Sequence, residues 1–127
     1  MRAYGLILVA VIAALHFYIA YFEMFAWESR GPAVFPDFPK ELFSQTGALA
    51  LNQGVYNGFL AVGLIWSLLI GDRQWQLKVA VCFLLFVAVA GIVGAVTASP
   101  RILFVQTVPS VAPLALLMAA EWRSTRI

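Results

Sequence analysis

The chain has 127 residues and carries 8 Lys and Arg against 6 Asp and Glu, a formal charge of +2. Hydrophobic residues make up 63% of it and charged residues 11%, against roughly 45–50% and about 25% in an average soluble domain. A chain this short leaves a large share of its surface in solvent, so the composition excludes an ordinary soluble domain, a disordered tail and a nucleic-acid binder, and the expected partner is a lipid bilayer.

The first apolar stretch covers about residues 4–27. Arg2 ahead of an apolar run loosely fits a secretory signal, but the run continues past a typical h-region and no small-x-small cleavage site follows. It reads as a spanning helix, for which ~20 mainly apolar residues suffice. The connection over residues 28–42 holds Pro32, Pro36 and Pro39 with Phe35 and Phe38 between them. The prolines argue against a regular helix there, and the aromatics predict an interfacial segment lying over the bundle as a lid.

Three further stretches follow, at about residues 43–70, 75–98 and 102–120. Gly71-Asp72-Arg73-Gln74 and Ser99-Pro100-Arg101 separate them as tight turns. Irregular backbone cannot cross lipid unpaired, and the runs are too long for barrel strands. The expectation is an all-α polytopic membrane protein, an antiparallel bundle of four transmembrane helices forming one domain over residues 1–127. The lone cysteine, Cys82, can make no internal disulfide and is expected to be a buried apolar filler.

Basic residues orient such a chain. Arg2, Arg73, Lys78, Arg123 and Arg126 fall on one side; Arg30, Lys40 and Arg101, diluted by Glu28, Asp37 and Glu41, fall on the other. The expected location is the plasma (inner) membrane with both termini cytoplasmic. The Pro-rich connection then faces outward.

Small residues recur every fourth position at Ala50, Gly54 and Gly58 in the second helix and at Ala90, Gly94 and Ala98 in the third. Such stripes let helix backbones approach closely in lipid. Packing within one chain and packing in a homo-oligomer both fit them. Pro109 and Pro113 predict kinks in the fourth helix.

Polar groups inside the apolar runs cost free energy and so carry information. His16 and Glu23 stand seven residues apart on the first helix, within about 20° of one face and roughly 10 Å apart along the axis. Gln45 opens the second stretch, and Asn52, Gln53, Tyr56 and Asn57 fall within an arc of about 140°. Matching depths between antiparallel neighbours sets Glu23 level with Asn52 and His16 nearly level with Asn57. Thr97 and Gln106 add polar groups at the same end. The pattern predicts a polar pocket lined by the first two helices and deepening to His16. The plainer reading, interhelical hydrogen bonding worth roughly 0.6 kcal/mol per pair, is the better one for Asn52, Gln53 and Gln106 taken singly. No metal motif is present, since Glu-x-x-His and His-Glu-x-x-His need closer spacing. No phosphate, dinucleotide or haem-attachment motif occurs either, so no cofactor is expected.

The runs His16-Phe17-Tyr18, Glu23-Met24-Phe25-x-Trp27 and Asn52-Gln53-Gly54-Val55-Tyr56-Asn57-Gly58-Phe59-Leu60-Ala61 resemble domain-of-unknown-function family 1304. So do Gly91-Ile92-Val93-Gly94-Ala95-x-Thr97 and the stretch from Gln106 to Pro109. The resemblance covers nearly the whole chain and implies a small four-helix membrane protein with no settled activity. Leu15 stands where such proteins often carry Glu before the motif histidine, which removes an adjacent Glu–His pair.

Three functions fit these residues. The first is a protein that binds or transports a small molecule through the polar pocket, with Glu23 and His16 as proton-linked groups. The second is a membrane enzyme acting on a lipid or quinone, with His16 as acid and base. The third is an assembly partner packing through the small-residue stripes.

Overall fold

The computed structural model describes residues 1–124. Six α-helices occur among them: α1 (Arg2–Phe25), α2 (Trp27–Val34), α3 (Lys40–Gln45), α4 (Gly47–Leu69), α5 (Arg73–Thr97) and α6 (Val108–Ser124). A π-helical segment, Leu103–Thr107, leads directly into α6. Four helical spans are long and apolar enough to cross a membrane: α1, α4, α5 and the span Leu103–Ser124. They form an all-α polytopic bundle in which consecutive spans run antiparallel, with α1 and α4 the most extensively packed pair.

The side chains follow the logic of a bilayer solvent. Large apolar residues such as Tyr4, Ile7, Val11, Leu69, Val89 and Val96 are exposed around the bundle. Polar His16, Asn57, Ser67, Gln76 and Ser110 are buried inside it. Lipid solvates the first set as well as a protein core would, whereas the second set must find partners within the protein. The Ser67 hydroxyl donates to the Leu64 carbonyl at 2.6 Å, and that of Ser110 to the Thr107 carbonyl at 2.8 Å. Trp66, Trp75 and Trp122 are exposed near the end that holds the termini, as interfacial tryptophans are.

That terminal end is closed. Val9, Ile12 and Ala13 of α1, Leu64 of α4, Ala80, Leu84 and Val87 of α5 and Leu117 of α6 form one buried cluster. The α4–α5 turn is tied down beneath it. Asp72 caps α5 by accepting from the Trp75 amide at 2.8 Å. Gln76 donates to the Ile70 carbonyl at 3.2 Å, one of the carbonyls that the end of α4 leaves without a helical partner. Arg2 donates to Gln76 Oε1 at 2.6 Å, and Arg73 pairs with Glu121 at 3.4 Å.

Several expectations need correction. The connection over residues 26–46 is largely helical, with Pro32 inside α2. Proline removes one backbone bond there, which a helix of 8 residues can lose near its end. Pro39 precedes α3 as its N-cap, where a missing N–H costs little. Cys82 is exposed on the outer face of α5 rather than buried. Beyond Lys78, helix α5 is apolar all round, so its sequence there does not set which face turns inward. In the last span the irregularity is the π-helical segment just before Pro109, and Pro113 lies buried within α6. Pro109 has no N–H for the carbonyl four residues back. The preceding turn widens instead, and the Val108 amide donates to Leu103.

Candidate functional site

The site begins at the seam between α1 and α4. Gly54 permits it: a Cβ there would lie 2.5 Å from Met24 Cγ and 3.0 Å from the Ala20 carbonyl oxygen. Gly58 faces the same helix, with a Cβ 3.9 Å from that of Ala20. The small-residue stripe of α4 is therefore used inside the chain. At this close approach Asn57 Nδ2 donates to Glu23 Oε2 at 2.7 Å and to the Gln53 carbonyl at 3.3 Å. Both amide hydrogens are engaged. Glu23 Oε1 and Asn57 Oδ1 have no hydrogen-bond partner among the described residues.

A cavity of about 860 Å³ opens beside this pair. Ala50, Gln53 and Leu60 of α4 bound it on one side, Ala90, Val93 and Gly94 of α5 on the other, and Gln106 closes the rear. Its volume and mainly apolar wall are those of a small-molecule site. Two aromatic pairs at i, i+3 spacing line it from facing helices. Tyr56 and Phe59 stand with ring centroids 6.3 Å apart on α4, and Phe83 and Phe86 5.8 Å apart on α5. Tyr56, Phe59, Phe86 and Val93 are also exposed on the flank of the bundle, so the cavity opens sideways between α4 and α5. The helices meet at the other end, where Gly63 leaves room for the Phe83 ring. The rear wall is held by Gly91, which receives Thr107, whose hydroxyl donates to the Ala88 carbonyl at 2.9 Å.

An aromatic cover lies over the cavity mouth. Trp27 packs on Phe35 at 5.9 Å, Phe38 at 6.4 Å and Phe43 at 5.0 Å between centroids. Such pairs contribute roughly 0.5–1.5 kcal/mol each beyond burial. Trp27 Nε1 donates to Thr46 Oγ1 at 3.0 Å, and that hydroxyl donates on to the Leu42 carbonyl at 2.8 Å. This bond joins the helix break at Ala26 to the break at Thr46. Gly31 sits against the Phe43 ring, where any side chain would collide.

The structure gathers Glu23, Gln53, Tyr56, Asn57 and Gln106 around this cavity, with Thr97 at its edge. It leaves out two others. Asn52 is exposed and does not line the cavity, because it lies at the far edge of the 140° arc from buried Asn57. His16 is 0% exposed and does not line it either, so the cavity does not deepen to His16. Its Nδ1 lies 2.9 Å from the Ile12 carbonyl, which can only accept. The neutral ring then keeps its lone pair on Nε2, which has no partner among the described residues.

The depth match also shifts: Glu23 meets Asn57, not Asn52. Helix α4 begins at Gly47, four residues after the apolar run opens at Phe43, which moves it about 6 Å along α1. Ala90, expected as a packing residue, lines the cavity; its neighbour Gly91 makes the close contact instead. The rings of Phe59, Phe83 and Phe86 were not singled out from the sequence. The matched i, i+3 aromatic pairs were the available signal. Among the described residues, no three His, Cys, Asp or Glu side chains come together as a metal site.

A family model described as "Protein of unknown function (DUF1304)" matches residues 10–118. The chain is similar to uncharacterized protein YpaA of Lactococcus lactis subsp. lactis (strain IL1403), 30% identical over 108 residues, which is 84% of this chain and 89% of that protein. No solved structure matches the chain.

Proposed function

The chain belongs to the DUF1304 family, whose activity is open, and we propose that this integral membrane protein binds an amphipathic small molecule in the cavity beneath the α2–α3 cover. The observation that carries the reading is the pairing of Glu23 with Asn57 at the wall of a cavity of about 860 Å³. A carboxyl group placed inside an apolar span is costly, which marks it as a functional candidate. The apolar body of the ligand lies among the rings of α4 and α5, and its polar head reaches Glu23. The packed terminal core favours binding over passage; transport requires a second state in which that core opens. A role for His16 as acid and base draws less support, since no wall of the cavity includes it. Assembly through the α4 stripe draws less support because Gly54 and Gly58 face α1 of the same chain.

In this reading the membrane is the plasma (inner) membrane, both termini are cytoplasmic and the cavity faces outward. The support is the positive-inside asymmetry: Arg2, Arg73, Lys78 and Arg123 belong to the terminal end. Arg126 lies outside the described residues.

Native mass spectrometry from mild detergent tests the binding itself. The expected result is a small-molecule adduct on the wild-type chain that Ala90→Trp, which fills the cavity from α5, removes while the bundle stays folded. An adduct that survives Ala90→Trp overturns the reading.

A further inference from the structure

Resting on that binding reading, we infer that the ligand is a lipophilic organic cation whose charge is met by the Glu23 carboxylate inside an aromatic-lined cavity. The sign of the site comes first. Glu23 is the one acidic side chain lining the cavity, and no Lys, Arg or His lines it among the described residues. Of the two bases on the cover, Arg30 is directed elsewhere, with its guanidinium 6.0 Å from the centroid of the Tyr18 ring, and Lys40 at the start of α3 does not line the cavity. Glu23 forms no salt bridge among the described residues. A cation therefore enters a site with one uncompensated acid, whereas an anion meets a like charge in a poorly solvated place.

The hydrogen bonding of the Glu23–Asn57 pair has the same bias, while Gln53, Gln106 and Tyr56 can both donate and accept. Asn57 uses both amide hydrogens, on Glu23 Oε2 and on the Gln53 carbonyl. What this pair offers inward is Glu23 Oε1 and Asn57 Oδ1, which only accept unless the carboxyl is protonated. A head bearing N–H groups donates to them, a quaternary charge neutralises the carboxylate, and a head made of acceptors does neither. The walls supply the third term. Tyr56, Phe59, Phe83 and Phe86 present ring faces and edges from two helices. A cation over such a face gains about 0.5–2 kcal/mol. Access follows from the exposure of Tyr56, Phe59, Phe86 and Val93 on the flank. A ligand dissolved in the bilayer reaches the cavity sideways between α4 and α5, so the cation is one that partitions into lipid.

The test uses the full chain in detergent micelles and three probes of similar bulk: tetraphenylphosphonium, neutral tetraphenylsilane and tetraphenylborate. Uptake by Ala90→Trp sets the level due to the micelle alone. Above that level, the wild type is expected to bind the phosphonium about tenfold more tightly than the neutral probe and the borate least. Glu23→Gln is expected to abolish this preference. Equal wild-type affinity for phosphonium and neutral probe overturns the cation inference and leaves the binding reading standing. Phosphonium preference that persists in a folded Glu23→Gln chain does the same. If no probe binds above the Ala90→Trp level, both fall. Should Glu23→Gln fail to fold, the wild-type ranking of the three probes still decides.

Discussion

In the terminal half of the bundle, Leu84 and Val87 of α5 pack against Val9, Ile12 and Ala13 of α1 with at most 3% exposure. One turn further along α5, Ala90 faces a cavity of about 860 Å³. The four spans thus close together at one end, while at the other α4 and α5 part. The closed half has a short capped turn at Asp72 and interlocking aliphatic side chains. The other half has a long connection, a carboxyl–amide pair at one wall and an aromatic pair on each of α4 and α5 lining the gap. A bundle in lipid gains little from hydrophobic burial between helices, so close packing and polar pairing decide where it is tight. Small residues alone do not: Gly54 and Gly91 sit at close contacts, whereas Ala90 lines the opening.

The contrast has measurable consequences, the largest in the closed half. Leu84→Ala removes a fully buried side chain and is expected to cost about 2–5 kcal/mol. Phe86→Ala, two residues on but 53% exposed at the cavity, is expected to cost under about 1 kcal/mol. Reversible unfolding in mixed micelles compares them, and equal losses would erase the distinction between the halves. A smaller effect belongs to the seam. Asn57→Leu takes the donor from Glu23 and is expected to cost about 1 kcal/mol. Asn52→Leu, on the exposed side of the same helix, should stay within about 0.5 kcal/mol. The same unfolding assay reads both, and the reverse order would place the structural polar contact on the wrong edge of α4.

Much of this was legible in the chain. Four apolar runs divided by Gly-Asp and Ser-Pro turns specify an all-α polytopic bundle, because lipid allows few other ways to satisfy the backbone. The polar arc on α4 and the carboxyl on α1 stand out against apolar surroundings. What was illegible is rotation, register and loop structure. Helix α5 has no polar side chain between Lys78 and Thr97 apart from the Cys82 thiol, so the inward phase of Ala90 against Gly91, and the outward phase of Cys82, are set by contacts with Thr107 and Ile102. The meeting of Glu23 with Asn57 depends on where α4 starts, and a break at Thr46 moves that start to Gly47. Pro32 hid α2, since one lost backbone bond ends neither a short helix nor its packing on α3.

Thiol accessibility along α5 compares the two halves within one helix. With Cys82 first replaced by Ser, single Ala90→Cys and Ala80→Cys chains in lipid bilayers are treated with a small thiol reagent. Ala80 is 0% exposed in the closed core, and Ala90 lines the cavity. The expected result is that Ala90→Cys reacts in the folded protein and is protected by tetraphenylphosphonium, while Ala80→Cys reacts only after unfolding. Equal reactivity at the two positions, or reaction at Ala80→Cys alone, would contradict a bundle that is closed at its terminal end and open beneath the aromatic cover.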